Sequence, residues 1–417
     1  MSIHRCAWAV WLLPRLSGKN KEILAYRIAM KRVFIFLVII AVAVAVFVFG
    51  RPSEAAVSTN ASLESLLVDD GQASEAFARA LVPNDVVFPR DLGPHEAYQT
   101  EWWYYTGNLE TDSGRPFGYQ FTIFRRSLLP AEEMILPDDA SAWRSEQIYL
   151  AHFTISDIEA GQFYDAERFS REGDGLAGAQ AEPYRVWLEN WSAEQVAPGQ
   201  VRIRAETDAA ALDLLLQETL PPILHGDGGL SQKGLEVGNA SYYYSIVQQE
   251  TTGEVTIGGQ SFAVGGRSWK DHEYSTSALS PGSVGWDWFS LQLDDGSALM
   301  LFQIRREDGT LEPASSGTFI YADGTTKPIA LGDWELEVLD SWTSPTSGGE
   351  YPVAWRLSLP EIDLSLQGQA LMDNQELNVS TVYWEGAVRF QGEREGRPVE
   401  ATGYIEMTGY AGQTPKI

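Results

Sequence analysis

The sequence has few residues that would support thiol chemistry or binding to anionic polymers. Its 417 residues include a single cysteine, Cys6, so an intrachain disulfide is excluded and neither a cysteine-based zinc site nor a cysteine nucleophile is expected. Basic residues are scarce, with 30 Lys and Arg against 57 Asp and Glu and a formal net charge of -27. Binding to nucleic acid relies on an excess of Lys and Arg that displaces the counterions condensed on the phosphates. This chain lacks such an excess, so neither nucleic acid nor an anionic membrane surface is expected as a partner.

Long stretches with helical periodicity are also absent. From about residue 84 onwards, apolar and polar residues alternate over short segments such as 119–127, 201–207 and 298–307, and Asp-Gly or Gly-Gly turns separate these segments. This pattern predicts an all-β fold of the sandwich or barrel type. Aromatic residues make up 12% of the chain, which suits the packing of such sheets or an apolar ligand pocket.

One long apolar run is present near the N-terminus. Residues 33–50, VFIFLVIIAVAVAVFVFG, carry no charge and follow two cations. As a helix they would extend about 27 Å at ~1.5 Å per residue, close to the thickness of a bilayer core. We predict a signal or transmembrane segment there, after an extension over 1–32 in which Met30 is an alternative start. Cleavage after the small residues near Ala55 and retention as a membrane anchor both fit, and either would place the following chain outside the cytoplasm.

Two segments of the predicted β region are similar to each other. EWWYYTGNLETDSGRPFGYQFTIFRR (101–126) aligns with GWDWFSLQLDDGSALMLFQIRR (285–306), which places Tyr104 opposite Trp288. A repeated opening hairpin predicts two related domains. The predicted organisation after residue 50 has three parts: a linker with a short helix (51–83), an N-terminal domain (84–272) and a C-terminal domain (273–417).

Several motifs carry a resemblance to a known family: HEAYQTEWWYYTGNL (95–109), LHGDGGLSQKG (224–234), GNASYYYS (238–245), SWKDHEYSTS (268–277), GWDWFSLQLDDGSALMLFQIRREDG (285–309), and YWEGAVRF with TGYIEMTGY (383–410). In these motifs the chain resembles the carotenoid 1,2-hydratase-like family, also described as AttH-like or as predicted secreted hydrolases with lipocalin-like domains. The resemblance covers nearly all of residues 84–417. It implies two lipocalin-like antiparallel β-barrel or sandwich domains and a hydratase-like activity on an apolar, isoprenoid or carotenoid-like substrate.

Hydration of an electron-rich alkene sets chemical requirements that can be compared with the residues present. A carboxyl group has to remain protonated near neutral pH, which an apolar environment favours by raising its pKa. Aromatic faces stabilise the carbocation that protonation produces, and a second polar group directs water to that cation. This chemistry requires no metal ion or organic cofactor, and none is expected here.

The segment GGRSWKDHEYSTS (265–277) contains residues of these types. The resemblance implies catalytic roles for Asp271, His272 and Tyr274, and the same segment adds Glu273 as a second carboxyl group. In an extended strand Asp271 and Glu273 face one side, whereas His272 and Tyr274 face the other. Only one of the two pairs would then face a cavity, unless a bulge intervenes. The alternative is a polar strand end that hydrogen-bonds to the partner domain.

Aromatic residues and one histidine are the candidates for binding the hydrophobic small molecule. They are Trp102, Tyr104, Trp269, Trp286, Trp288 and His225. Core packing is the alternative for the aromatic residues, and turn chemistry in the glycine-rich segment ILHGDGG (223–229) is the alternative for His225. A metal site from His225 and His272 finds no support, because spacings such as His-x-x-x-His are absent.

Three functions fit these residues. The first is an extracytoplasmic, lipocalin-like hydratase for an apolar substrate. The second is a non-catalytic carrier of a hydrophobic ligand in the cell envelope, and the third is an envelope interaction protein. The first two require an apolar cavity, and only the first requires a carboxyl group that points at carbon atoms of the ligand. A serine hydrolase is disfavoured, since no Gly-x-Ser-x-Gly segment is present.

Overall fold

The fold is all-β, as the alternation in the sequence predicts. The residues described in the computed structural model are 76–83, 86–130, 145–276 and 279–412. Three short 3-10 helices lie entirely within these ranges, at Arg90–Leu92, Gly173–Gly175 and Pro360–Ile362. No helix in this part of the chain is long and apolar enough to cross a membrane. The predicted N-terminal extension, the apolar segment and most of the linker lie outside the described residues.

Thirteen strands form the first sheet, namely β1 (Thr100–Glu110), β2 (Pro116–Ser127), β3 (Gln147–Asp157), β4 (Gln162–Arg171), β5 (Ala177–Ala181), β6 (Tyr184–Leu188), β7 (Trp191–Ala197), β8 (Gln200–Glu206), β9 (Ala210–Glu218), β10 (Ile223–Leu224), β11 (Leu230–Gln232), β12 (Ala240–Ile257) and β13 (Gln260–Ser275). Their order is β4-β3-β2-β1-β13-β12-β9-β8-β7-β6-β5, and both β10 and β11 pair with β12. The first strand therefore pairs with the last one, and the antiparallel sheet curls into a near-barrel.

Ten strands form the second sheet, namely β14 (Ser283–Leu293), β15 (Ala298–Arg306), β16 (Ser316–Ile320), β17 (Thr326–Ala330), β18 (Glu335–Thr343), β19 (Glu350–Leu359), β20 (Leu364–Ala370), β21 (Glu376–Asn378), β22 (Val382–Arg394) and β23 (Arg397–Met407). Their order is β17-β16-β15-β14-β23-β22-β20-β19-β18, and β21 pairs with β22.

The two sheets share one connectivity around their opening strands. β1 lies between β2 and β13, and β14 lies between β15 and β23. The two similar segments of the sequence, 101–126 and 285–306, are these opening hairpins. The topology thus agrees with a duplication. The chain changes from the first sheet to the second between Ser275 and Ser283, a few residues after the domain boundary that we place at 272/273.

Each curled sheet encloses an apolar core, and a third apolar cluster lies between the sheets. The core of the first sheet includes Trp103 and Tyr105, and that of the second includes Phe289. Their neighbours along the strands, Tyr104 and Trp288, belong to the third cluster, which combines residues of both sheets. Because successive side chains of a strand point to opposite faces, each opening strand contributes to two cores. Burial of each large side chain stabilises the fold by roughly 1.5–3 kcal/mol.

Candidate active site between the two sheets

Strand β13 divides the predicted catalytic residues between its two faces. The register with β1 pairs Tyr104 with Asp271 and Trp103 with His272, and cross-strand partners project to the same side of a sheet. Asp271 therefore faces the second sheet together with Tyr104, while His272 faces the first core together with Trp103. No bulge interrupts the pairing of β1 with β13. The separation predicted by alternation is present, and the four predicted catalytic residues do not converge on one point.

Asp271 is buried and accepts three hydrogen bonds. Trp269 Nε1 donates to Oδ1 at 2.6 Å, the hydroxyl of Tyr243 donates to Oδ2 at 2.7 Å, and Ser245 Oγ also donates to Oδ1. Burial raises the pKa of Asp271 to about 7, although the three hydrogen bonds favour its ionised form. The carboxyl group is therefore fixed in position and titrates close to neutral pH.

The second sheet places a carboxyl group at the equivalent position. Trp288 pairs with Glu406 on β23, as Tyr104 pairs with Asp271 on β13. Trp286 Nε1 donates to Glu406 Oε1 at 2.9 Å, which repeats the bond between an indole and a carboxyl group seen at Asp271. Burial by the surrounding protein raises the pKa of Glu406 to about 8, and the charge of Asp271 contributes to this rise. The two carboxyl groups thus influence each other across the space between the sheets.

A third carboxyl group, Glu385, lies beside Glu406 on the neighbouring strand β22. The hydroxyl of Tyr104 donates to Glu385 Oε2 at 2.8 Å. Glu385 Oε1 is buried and has no hydrogen-bond partner within the described ranges. Burial raises the pKa of Glu385 well above its usual range, and the charge of Glu406 raises it further. A protonated carboxyl group fits these surroundings, because an uncompensated buried charge is costly.

Glu273 differs from these three groups because a cation lies beside it. Lys233 Nζ is 3.0 Å from Glu273 Oε1, and Ser241 Oγ donates to the same oxygen. The ammonium group of Lys233 also lies 4.2 Å from the ring centroid of Phe302 in the second sheet. Lys233 therefore places a positive charge beside Glu273, whereas Asp271, Glu385 and Glu406 have no such cation next to them in the contacts described above.

Aromatic rings pack around the buried carboxyl groups. Tyr104 and Trp288 meet edge to face with their ring centroids 5.2 Å apart, and the ring of Trp269 lies 6.3 Å from that of Trp288. The indole N–H of Trp288 donates to the hydroxyl of Tyr243 at 3.0 Å. We use the name inter-sheet cluster for these rings and carboxyl groups: Tyr104, Tyr243, Trp269, Asp271, Trp286, Trp288, Glu385 and Glu406.

Solvent reaches one side of the inter-sheet cluster. Trp286 and Glu406 are partly exposed, whereas Asp271 and Glu385 are buried. Trp102 is also partly exposed and packs against the same apolar residues. The side of the cluster at Glu406 is therefore the more accessible one, and Asp271 lies deeper.

His225 contacts Asp271 indirectly. Its Nε2 lies 2.6 Å from Ser245 Oγ and its Nδ1 lies 2.9 Å from Thr318 Oγ1. Because Ser245 donates its single hydrogen to Asp271, His225 donates from Nε2 to Ser245. Burial lowers the pKa of His225 to about 3, so the ring is neutral at neutral pH. His225 lies on the inter-sheet side and His272 in the first core, so the two histidines considered together in the sequence do not meet.

His272 belongs to a network inside the first sheet. His272 Nε2 lies 2.7 Å from Glu101 Oε1, and His95 Nδ1 lies 2.7 Å from the same oxygen. Arg125 Nε donates to Glu101 Oε2 at 2.9 Å. Burial raises the pKa of Glu101, but the charges of Arg125 and His95 outweigh it and hold the pKa well below its usual range. Burial also lowers the pKa of His272 to about 4. Tyr274 stacks on His95, with ring centroids 3.5 Å apart.

Comparison with known proteins places the fold in a family. The AttH-like family matches residues 79–410, which is most of the chain. The chain belongs to the AttH-like family. It is similar to a solved protein assigned to AttH from Nitrosomonas europaea, with 35% identity, a TM-score of 0.71, and coverage of 80% of this chain and 100% of that one. The family predicted from the sequence motifs is confirmed.

Two similar proteins have names that describe a reaction. The AttH-like chain resembles kievitone hydratase from Nectria haematococca in fold, with 15% identity, a TM-score of 0.59, and coverage of 82% of this chain and 98% of that one. It is also 20% identical to the dehydratase asqC of Emericella nidulans over 219 residues, which are 50% of this chain. That match spans 60% of the dehydratase, so it covers only part of that protein.

Two residues of this AttH-like site are not identified from the sequence. Glu385 and Glu406 lie in the motifs YWEGAVRF and TGYIEMTGY, which carry the family resemblance. The equivalence of Glu406 and Asp271 emerges only from the strand pairing, because β14 places Glu406 opposite Trp288 as β1 places Asp271 opposite Tyr104. All six predicted substrate-binding residues do lie at or beside the inter-sheet cluster, and their role in binding stays a prediction.

Proposed function

We propose that this AttH-like protein adds water to, or removes water from, a carbon–carbon double bond of an apolar substrate bound between the two sheets. One observation carries the proposal: Asp271, Glu385 and Glu406 are three carboxyl groups with raised pKa within one aromatic cluster. Carboxyl groups of this kind hold protons at neutral pH and can donate them to carbon. The names of two similar proteins, a hydratase and a dehydratase, belong to the same class of reaction.

Asp271 is the proposed proton donor. A general acid is most effective when its pKa lies near the working pH, and the pKa of Asp271 is about 7. Its proton forms a C–H bond with the electrons of the alkene π bond, and the positive charge remains on the more substituted carbon. The oxygen of water then bonds to that carbon, and the proton released from water returns to Asp271. The sum is alkene plus water to alcohol, and dehydration is the reverse.

The surrounding rings stabilise the carbocation. The faces of aromatic rings attract a cation within about 6 Å of the centroid, and the rings of Tyr104, Trp269 and Trp288 lie around the buried carboxyl groups. Glu406 is partly exposed, and we assign to it the orientation of the water molecule. The apolar surroundings keep other water away from the cation.

The substrate class and the location are finer parts of the proposal. An isoprenoid double bond suits the mechanism because its protonation yields a tertiary cation. Support for it comes from the aromatic cluster and from the resemblance of the sequence motifs. An extracytoplasmic location is supported by the apolar run at residues 33–50, which would also attach the protein to the membrane if it is not cleaved.

Turnover of prenylated phenols and acyclic carotenoids by the purified full chain tests the proposal. Asp271→Asn preserves the shape of the side chain, and we expect it to lower kcat by at least about 100-fold while ligand binding, followed by tryptophan fluorescence, is kept. Asp340→Asn, at an exposed carboxyl group of β18, is the control and should retain activity. Equal turnover in the wild type, Asp271→Asn and Glu406→Gln would show that these two carboxyl groups have no catalytic role. Binding without turnover in the wild type would instead favour a carrier.

A further inference from the structure

We infer that His95, Glu101 and His272 form a binding site for one divalent transition-metal ion of the zinc type. The site lies at the first core, on the face of β13 opposite to the inter-sheet cluster. It does not depend on the hydratase proposal, because none of its three residues contributes to the inter-sheet cluster.

Three suitable ligand atoms converge at this point. His95 Nδ1, Glu101 Oε1 and His272 Nε2 all lie within 4.8 Å of one another, and Glu101 Oε1 is 2.7 Å from each nitrogen. Zinc binds imidazole nitrogen and carboxylate oxygen at about 2.0–2.2 Å, so its tetrahedral ligands lie roughly 3.3 Å apart. A shift of roughly half an ångström would therefore admit the ion. Two histidines and one glutamate are also a ligand set that zinc uses with an open fourth position.

The hydrogen bonds of Tyr244 provide an independent indication. Its hydroxyl lies 3.0 Å from the carbonyl oxygen of Asp91 and 2.8 Å from His272 Nδ1. A carbonyl oxygen only accepts, so Tyr244 donates its single hydrogen there and accepts from the Nδ1–H of His272. In the neutral imidazole, which has one N–H, Nε2 presents a lone pair to the carboxylate oxygen of Glu101, and either a second proton on His272 or a metal ion is needed to make this contact attractive. A metal ion would bind both lone pairs at once, and the titration described below separates this arrangement from the protonated ring.

The surrounding residues orient the three ligands as metal sites require. A histidine that binds a metal commonly has its other ring nitrogen held by a carboxylate or another polar group. His95 Nε2 lies 3.4 Å from Asp91 Oδ1, and Tyr244 contacts the other nitrogen of His272. Arg125 occupies Glu101 Oε2 and leaves Oε1 for the metal ion. The side chain of His95 is 14% exposed, so an ion can reach the site from that side.

The chain positions of the ligands indicate what the ion would do. His95 lies in the segment before β1, Glu101 on β1 and His272 on β13. A metal ion would fasten the preceding segment to two paired strands that also carry Tyr104 and Asp271. Its expected effect is therefore on the stability of this end of the first sheet.

Titration of the chelator-treated full-length chain with ZnCl2 and CoCl2 tests the inference. We expect one equivalent of Zn²⁺ to bind by calorimetry, a rise in Tm, and visible absorption bands of Co²⁺ in a nitrogen and oxygen site. His95→Ala should weaken binding by roughly 100-fold or more, and Asp91→Asn by roughly 10- to 100-fold. The matched control is His152→Ala, since His152 is a buried histidine that also contacts a carboxylate, that of Glu167; it should bind Zn²⁺ like the wild type.

Two results would overturn the site. One is an unchanged Zn²⁺ affinity in His95→Ala. The other is a wild-type chain that binds no stoichiometric Zn²⁺ and shows no Co²⁺ bands, in which case a second proton on His272 satisfies Glu101. If His95→Ala does not fold, the Zn²⁺ and Co²⁺ titrations of the wild-type chain alone decide whether the site exists.

Discussion

Tyr104 and Trp288 occupy equivalent positions of the two opening strands and contact each other edge to face, with ring centroids 5.2 Å apart. Each is paired with a carboxyl residue on the last strand of its own sheet, Tyr104 with Asp271 and Trp288 with Glu406. Packing two copies of one hairpin against each other therefore brings two acid groups and two aromatic rings to the same place. The candidate active site follows from the duplication together with this packing.

The hydroxyl of Tyr104 supports Glu385, and its removal should be measurable. Tyr104→Phe keeps the ring but leaves the buried carboxyl group of Glu385 without its donor. We expect the free energy of unfolding to fall by about 1–3 kcal/mol. Replacing the carboxyl group as well, in Tyr104→Phe with Glu385→Leu, should recover most of this loss. Urea unfolding of both single variants and the double variant measures the coupling, and purely additive effects would contradict the prediction.

The pH dependence of turnover should report the titration of Asp271. The protonated acid is the active form, so kcat/KM should be high at low pH and fall as the pH rises through about 7. Trp269→Phe removes an N–H that favours the ionised carboxylate, so the pKa of Asp271 should rise and the falling limb should move to higher pH. Trp187→Phe is the control, because that indole donates to the carbonyl of Gly175. If the falling limb of the pH profile of Trp269→Phe coincided with that of the wild type, the assignment of this limb to Asp271 would be refuted.

Lys270 should destabilise the fold at neutral and acidic pH. Its Nζ lies in the first core, 4.3 Å from the ring centroid of Tyr184, and burial lowers its pKa from 10.5 to about 7. Between these two pH values the unfolded chain binds more protons than the folded chain. The destabilisation caused by Lys270 therefore becomes smaller as the pH rises. We expect Lys270→Met to raise the free energy of unfolding by on the order of 2 kcal/mol at about pH 6, and by little at about pH 10.

Denaturant unfolding at these two pH values checks the prediction for Lys270. Lys327→Met is the matched control, since Lys327 forms a surface ion pair with Glu361 and should contribute little at either pH. An equal gain from Lys270→Met at both pH values would show that packing, and not the charge, determines the effect.

Arg125 and Glu101 form a fully buried ion pair, and removing one partner should be costly. Arg125→Met would leave Glu101 ionised in the first core, and we expect a loss of about 3–5 kcal/mol in the free energy of unfolding. Arg125→Met combined with Glu101→Gln should lose less, because no unpaired charge remains. Unfolding is measured with a chelator present, so that metal binding does not contribute.

The same pair should make the protein sensitive to acid. The folded-state pKa of Glu101 lies well below its usual value of 4.5, so the stabilisation it provides is present above that pH and is lost as the pH falls further. The double variant should therefore lose less stability than the wild type between pH 7 and pH 3. An identical acid response in the two proteins would count against a charged Glu101 in the folded state.

Much of the fold could be predicted because its signals are local. Alternation with period two, together with Asp-Gly and Gly-Gly turns, predicts strands without any knowledge of their partners. The repeat between the opening hairpins predicts the shared topology of the two sheets. The division of Asp271 from His272 could also be predicted, because neighbouring side chains of a regular strand point to opposite faces.

Glu385 and Glu406 could not be selected in this way. Each is one glutamate among many acidic residues, and its importance depends on the register of β14, β22 and β23 and on the face turned towards the first sheet. The group of His95, Glu101 and His272 is likewise invisible to spacing rules, since two of its members are on paired strands far apart in the chain.

By itself, the sequence determined the class of fold, the duplicated hairpin, the family and the two faces of the strand at 268–277. The tertiary structure decided which face borders which core. Asp271 and Glu273 face the second sheet, whereas His272 faces the core of the first, and Tyr274, on the same face as His272, packs in a separate cluster with Tyr242 and against His95. Which face borders which core depends on how the two sheets pack, and burial and electrostatic interactions in those surroundings then set the protonation of these groups. Both depend on neighbours that the chain brings together only when the two sheets pack.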